Sequence, residues 1–146
     1  MNIFDKLRQG IETTSVAETQ RLAEELADAL PPDQTLALHG NLGVGKTTFV
    51  QGLARGFGIQ ATVTSPTFNI FTFYRGRRTL VHLDAYRLES DAQIEALMLD
   101  EFLMSPYCLA VEWPEKIAGW ISPDALHLHF GIAGPGRHTL KLDASG

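Results

Sequence analysis

The segment Gly40-Asn41-Leu42-Gly43-Val44-Gly45-Lys46-Thr47 matches G-x-x-x-x-G-K-[ST] in full. With glycine usage near ~7% in ordinary proteins, a chance match in so short a chain has a probability on the order of one in a few hundred. The flanks supply what a phosphate-binding loop requires, an apolar strand before it and an amphipathic helix after it. Thr35-Leu36-Ala37-Leu38-His39 is short, apolar and ended by glycine, so it reads as a buried strand. Beyond the loop, Phe49, Val50, Leu53, Ala54 and Phe57 recur at helical spacing, and Gly58 stands where a helix C-cap glycine belongs. Gly52 and Gly56 interrupt that helix at roughly 1 kcal/mol each relative to alanine. Close packing of the helix on a sheet would offset that cost.

Each residue type in the loop has a chemical reason. Glycines let the backbone curl so that successive N–H groups point at phosphate oxygens. The following helix adds its own unpaired N–H groups and the positive end of its dipole. Lys46 puts a flexible cation between β- and γ-phosphates, Thr47 offers a hydroxyl to Mg²⁺, and Thr48 adds an α-phosphate contact. The expected nucleotide contacts are therefore Gly40, Asn41, Gly43, Val44 and Gly45 through the backbone, then Lys46, Thr47 and Thr48. A glycine turn that binds nothing has no evident use for a lysine at that place. No Asn/Thr-Lys-x-Asp element occurs, so the guanine-reading feature of many GTPases is missing and ATP, with ADP as product, is the better fit.

Hydrolysis needs more than the loop. Asp84, after Leu80-Val81-His82-Leu83, and Glu112, after Leu109-Ala110-Val111, each end an apolar run. Either can hold Mg²⁺ near Thr47 or orient an attacking water; either can equally be a solvated strand end. Ser65-Pro66-Thr67 reads as a nucleotide-sensing loop or as an ordinary turn. His39 and His82 read as core or edge histidines. The lone Cys108 lies in an apolar run and reads as a buried strand residue, with no disulfide or cysteine-based zinc site available.

The rest of the chain completes an α/β pattern. Ser15-Val16-Ala17-Glu18 is a capping box opening a helix whose face is Leu22, Ala23, Leu26, Ala29 and Leu30, stopped by Pro31-Pro32-Asp33. Phe68 to Tyr74 and Thr79 to Asp84 read as strands joined at Arg75-Gly76-Arg77. Ser90-Asp91-Ala92-Gln93 is a second capping box, followed by Ile94, Leu97, Met98 and Phe102 at helical spacing. Cys108 to Val111 reads as a strand, and Ala125 to Phe130 with His138 to Leu142 as a terminal hairpin around Gly131 to Gly136. Strands and helices alternate and then strands cluster, which predicts a single P-loop NTPase-type α/β domain with a mixed central sheet flanked by helices. Residues 1–12 read as a loose N-terminal segment.

Composition sets the outer bounds. The chain has 146 residues, 45% of them hydrophobic, enough for one domain with a real core. No apolar run approaches the ~20 residues of a membrane helix, and residues 1–10 hold no signal-like stretch; the default expectation is a soluble cytoplasmic protein. The net charge is −5, which disfavours generic nucleic-acid binding. Between Gln34 and Leu83, however, there is no acidic residue, while Lys46, Arg55, Arg75, Arg77 and Arg78 are present. A cationic stretch around a phosphate loop suits a small polyanion.

Taken together the motifs resemble the TsaE (YjeE) family. The residues that carry the resemblance are Gly40 to Gly52, Val63-Thr64-Ser65-Pro66-Thr67-Phe68, His82-Leu83-Asp84-Ala85-Tyr86-Arg87-Leu88 and Val111-Glu112-Trp113-Pro114-Glu115-Lys116. The first block is common to P-loop proteins; the other three point to this family, and the likeness spans about Thr13 to Arg137. It implies an ATPase acting with TsaD-like and TsaB-like proteins to place threonylcarbamoyl on the adenosine beside the anticodon, in tRNAs reading codons that start with A. By the same resemblance Lys46 serves phosphate, Thr47 and Glu112 serve Mg²⁺, and Asp84 is metal-proximal or orients water. Trp113 shapes the site or simply packs, and Thr14 to Thr19 resembles a segment near the adenine. Three positions depart from the family pattern: Asn41 for a usual Asp, Ala85 for a larger apolar residue, and Met98 for a common Gly.

Two other functions fit a P-loop. A small-molecule kinase would use Arg75, Arg77, Arg78 or Arg87 to clamp the transferred phosphoryl, but it generally needs an acceptor pocket and a lid. A nucleotide-dependent binding module would need no turnover at all.

Overall fold

The computed structural model describes residues 2–41, 45–66 and 69–143. The described helices are α1 (Ile3–Gln9), α2 (Val16–Ala29), α3 (Lys46–Gly56) and α4 (Asp91–Ala96), with 3-10 turns at Leu99–Phe102 and Pro114–Ile117. The strands are β1 (Ile11–Thr13), β2 (Gln34–His39), β3 (Phe71–Arg75), β4 (Thr79–Asp84), β5 (Tyr107–Glu112), β6 (Leu126–Gly134) and β7 (Arg137–Leu142). They form one sheet in the order β1-β7-β6-β2-β5-β4-β3. The centre, β6-β2-β5-β4, is parallel, and β3, β7 and β1 flank it antiparallel. The mixed α/β sheet expected from the sequence is the fold observed.

β2, β4 and β5 are mostly apolar because both of their faces are covered, whereas β6 alternates. Leu36, Leu38, Leu80, Cys108, Ala110 and Leu128 pack on one face beneath α1, α2 and α3. Val81, Leu83, Leu109 and Val111 pack on the other with Ile94, Leu99 and Ile117. Cys108 is fully buried, and desolvation pushes its thiol up to about 12, so it is an inert core residue. Among the described residues no helix is long and apolar enough to cross a membrane.

The serine half of each capping box forms as read, while the Glu18 and Gln93 side chains accept from the amides of Thr14 and Glu89, one residue before each cap. Ser15 Oγ accepts the Glu18 amide at 3.1 Å, and Ser90 Oγ accepts that of Gln93 at 3.4 Å. The second helix is far shorter than its apolar spacing predicts. It ends at Ala96, and Met98 turns left-handed at φ 53° before the 3-10 turn begins. That conformation costs a side-chain-bearing residue energy and is free to glycine, so Met98 occupies the one step in this segment where glycine would be relaxed. In α2, Ala27 and Thr19 are buried and Ala29 is exposed, a shift of the predicted face.

Three further expectations change. Residues 2–12 are held in place: Ile3 and Leu7 are buried against the core, β1 pairs β7, and Lys6 Nζ meets Glu25 of α2 at 3.1 Å. The glycines of α3 face a helix rather than the sheet, since a Cβ on Gly52 would lie 2.7 Å from the Ala23 Cβ of α2. The terminal hairpin turns at Pro135-Gly136, because β6 runs on to Gly134. The predicted strand start at Phe68 lies outside the described residues, and β3 begins at Phe71.

His39 ends β2 on the sheet face away from α3. Its Nε2 lies 2.8 Å from His127 Nδ1, and its ring stacks on His129 at 4.6 Å. Burial, then the charges of His129 and His127, lower its pKa from 6.5 against the opposing pull of Glu115 and Asp143. The unfolded chain therefore binds more protons between that depressed value and 6.5, so stability is lost as pH falls through this window. A His39→Gln variant should show a shallower fall in melting temperature between about pH 7 and about pH 5. An unchanged fall would uncouple His39 from acid sensitivity.

Candidate functional site

The C-terminal ends of β2, β5 and β4 meet at one rim, where Leu38 is in register with Glu112 and Glu112 with Asp84. Open parallel sheets offer ligands this edge. The chain leaves β2 at Gly40 and enters α3 through Gly45, which caps the helix at φ 97°, a conformation that calls for glycine. Gly45 provides no side-chain cap and the first turn of α3 holds no acidic residue. The first amides of α3 are therefore not capped by a side chain of Gly45 or by an acidic residue of the helix's own first turn.

Lys46, the first residue of α3, is buried, with its side chain only 3% exposed. Its Nζ donates to the Gly40 carbonyl at 2.6 Å and lies 4.5 Å from the centre of the Trp113 ring. Glu112 Oε1 is 3.9 Å away, too far for a hydrogen bond. Desolvation lowers the lysine pKa from 10.5, opposed by Glu112, Asp84 and Glu115. The site thus holds a nearly dry ammonium group whose charge is incompletely matched, a costly arrangement unless an anion completes it.

The carboxylates face it from the sheet. Glu112 is buried, and its Oε2 lies 2.5 Å from Nε2 of the fully buried His82. Asp84 is partly exposed, and its Oδ1 accepts the Tyr86 amide at 3.0 Å. Together with Gly45, Thr47 and Thr48, these groups line a cleft of about 490 Å³ that also includes Ser65, Tyr86, Trp113 and His138. Trp113 sits left-handed at φ 57°, and its ring packs on Tyr86 at 5.1 Å to form one wall. A second hollow of about 220 Å³ adjoins the cleft through Gly45, Thr48 and His138, and Thr14, Ser15, Val16 and Thr19 close it.

A threonine hydroxyl and two carboxylates are hard oxygen donors, the chemistry Mg²⁺ prefers over nitrogen or sulfur. Among the described residues no group of three or more His, Cys, Asp or Glu is arranged as a metal cage. Mg²⁺ is commonly held by one or two carboxylates and takes its other ligands from water and phosphate. The residues present fit the ion.

Residues 13–138 match the family model described as threonylcarbamoyl adenosine biosynthesis protein TsaE. The chain belongs to the TsaE family. It is 36% identical to the tRNA threonylcarbamoyladenosine biosynthesis protein TsaE of Bacillus subtilis, over 92% of this chain and 84% of that protein. It is 38% identical to the protein of the same name from Treponema pallidum, over 88% of this chain and 95% of the other. The crystal structure of Bacillus subtilis YdiB superposes with a TM-score of 0.77 at 34% identity, covering 94% of this chain and 85% of that one.

Within this TsaE-family fold, the residues singled out from sequence gather unevenly. Gly45, Lys46, Thr47, Thr48, Asp84 and Glu112 share one cleft. Gly40 contributes its carbonyl to Lys46, while Asn41 is exposed and is not among the cleft-lining residues. Gly43 and Val44 lie outside the described residues, as does Thr67, whereas Ser65 lines the cleft. His138 and Tyr86 went unassigned in the sequence, although Tyr86 stands inside a family block. His138 had no local signal, because only the pairing of β7 with β6 and β1 brings it beside Gly45.

Proposed function

We propose that the protein binds Mg·ATP in this cleft and hydrolyses it, slowly when alone, as its part in threonylcarbamoyladenosine formation beside the anticodon of tRNAs reading codons that start with A. The reading places it in the cytoplasm with TsaD-like and TsaB-like proteins, and with tRNA only through that assembly. The observation that carries it is the buried Lys46 ammonium, open to the cleft and not hydrogen-bonded to Glu112. In this reading Lys46 and the first amides of α3 bind the β- and γ-phosphates and oppose the charge that develops as the terminal bond breaks. Thr47, Glu112 and Asp84 would hold the metal, and one of the two carboxylates orients the attacking water. Mg²⁺, when bound, supplies positive charge to the phosphate oxygens. The hollow beside Thr14 to Thr19 suits the nucleoside end. An open cleft leaves water-orienting geometry and product release to be completed by partners, which accounts for slow turnover in isolation.

Three of the four arginines that a kinase clamp would draw on are turned away from the cleft, leaving Arg87, just after Asp84 and Tyr86, as the remaining candidate. Arg78 donates to the carbonyls of Leu30, Pro31 and Tyr107, Arg77 to that of Gly56, and Arg75 reaches Met104. All three lie beyond the Thr79 end of β4, opposite Asp84. The test is mass spectrometry of tRNA nucleosides after depletion of the protein. Threonylcarbamoyladenosine should fall, recover with the wild type and stay low with Lys46→Ala. Undiminished modification would remove the protein from that pathway, and full rescue by Lys46→Ala would leave nucleotide turnover without a role in it.

A further inference from the structure

We infer that His82 is a positioning residue: through Nε2 it holds the Glu112 carboxylate back from Lys46, so that the ammonium group stays available to phosphate. The inference rests on the nucleotide reading above and deepens it.

His82, Asp84 and Glu112 stand on the sheet face that α3 covers, the same face as Leu80, Cys108 and Ala110. His82 is 0% exposed, and its Nε2 lies 2.5 Å from Glu112 Oε2. A carboxylate only accepts, and an imidazole nitrogen that bears a proton donates. The proton in this contact therefore sits on Nε2 and is donated to Oε2. Nδ1 is buried and has no hydrogen-bond partner among the described residues, so none of them competes for the ring.

The consequence reaches Lys46. A buried lysine and a buried glutamate this close would ordinarily close to about 2.8 Å and pair directly. Here the distance is 3.9 Å, and the ammonium group instead donates to the Gly40 carbonyl. A neutral carbonyl can be exchanged for a phosphate oxygen at little cost, whereas a tight ion pair would have to be broken first. With Oε2 committed to the imidazole, Glu112 offers the cleft a single oxygen, Oε1. His82 thereby separates two opposite charges that the site needs apart.

Calorimetry of ATP binding in the presence of a metal chelator isolates the Lys46 side of this arrangement. His82→Leu should weaken binding about tenfold, equivalent to about 1.4 kcal/mol, as Glu112 swings onto the lysine. His82→Gln, which keeps an amide donor near the Nε2 position, should bind within about twofold of the wild type. The double variant His82→Leu/Glu112→Gln should recover the affinity of Glu112→Gln alone, since a neutral amide oxygen holds the ammonium no more tightly than the Gly40 carbonyl already does. Wild-type affinity in His82→Leu, equal losses in the Leu and Gln variants, or no recovery in the double variant would each overturn the inference.

Nitrogen-15 NMR of the nucleotide-free protein provides a reading independent of ATP and of any variant at position 82. The His82 ring proton should be on Nε2, far downfield, and should move upfield in Glu112→Gln, where the acceptor is neutral. A proton on Nδ1 alone would sink the idea. Should the wild type itself take up no ATP, the nucleotide reading fails, and this NMR signal still decides whether His82 holds Glu112.

Discussion

Replacing Lys46 with alanine should reduce the affinity for Mg·ATP by roughly a hundredfold or more while leaving the protein folded. The ammonium group is expected to make at least two charge-assisted hydrogen bonds to phosphate, each worth about 1.5–3 kcal/mol, and each 1.4 kcal/mol is about tenfold in the dissociation constant. Among the described residues no other lysine or arginine lines the cleft, and Arg75, Arg77 and Arg78 are engaged at the far end of the sheet. The fold should survive, because alanine is the best helix former and the hydrogen bond lost is the one to the Gly40 carbonyl. Thermal melts show this without a binding model. At a nucleotide concentration about a hundred times the wild-type dissociation constant, the ligand stabilises the wild type by about 2.7 kcal/mol. The variant, at about its own dissociation constant, should gain only about 0.4 kcal/mol. Equal shifts in both proteins would mean that the lysine does not touch the nucleotide.

The legible parts of this molecule are those written in consecutive residues. The strand, loop and helix from Thr35 to Gly58 could be read directly, because apolar spacing and glycine placement act within a few positions of each other. The Ser15 and Ser90 caps form for the same reason. Asp84 and Glu112 were legible as strand ends, and their adjacency follows once β4 and β5 pair in parallel. What the sequence hid depends on contacts distant along the chain. Residues 1–12 look too short and too charged to be held, yet Leu7 is sealed by packing against the core and Ile11 pairs with Leu140. His82 looks like an ordinary core histidine because its partner is 30 residues away. Met98 misled in the opposite direction. Apolar spacing from Ile94 to Phe102 fits one helix, but the backbone turns left-handed at Met98 and splits it in two. Periodicity reports which side chains are buried and is silent on a single reversed dihedral.

A Gly52→Val substitution should destabilise the protein by about 2–3 kcal/mol, a cost read far from the cleft but transmitted through the helix that forms it. Valine gains a few tenths of a kcal/mol over glycine in helix propensity, and overpacking typically costs 1–3 kcal/mol. Overpacking wins here because of what the new atoms meet. A Cβ at Gly52 would lie 2.5 Å from the Gln20 carbonyl oxygen and 2.8 Å from the Gln20 Cα. Both are backbone atoms of α2, so no rotamer change relieves the contact and the two helices must separate. Their separation would also strain the bridge from Gln20 to Gln51 and Arg55 across the same seam. For a domain of this size the expected fall in melting temperature is roughly 5–10 °C. Gly56 offers the contrast that tests the cause. A Cβ there meets the Ala27 Cβ at 2.6 Å, and its other neighbours are no nearer than 3.3 Å. Gly56→Ala should therefore destabilise alone and be largely rescued by Ala27→Gly, whereas no small-residue exchange in α2 should rescue Gly52→Val. If Gly52→Val melts like the wild type, the close approach of α2 and α3 is not what these glycines serve. If Ala27→Gly fails to rescue Gly56→Ala, the contact between the two β-carbons is not the source of the loss.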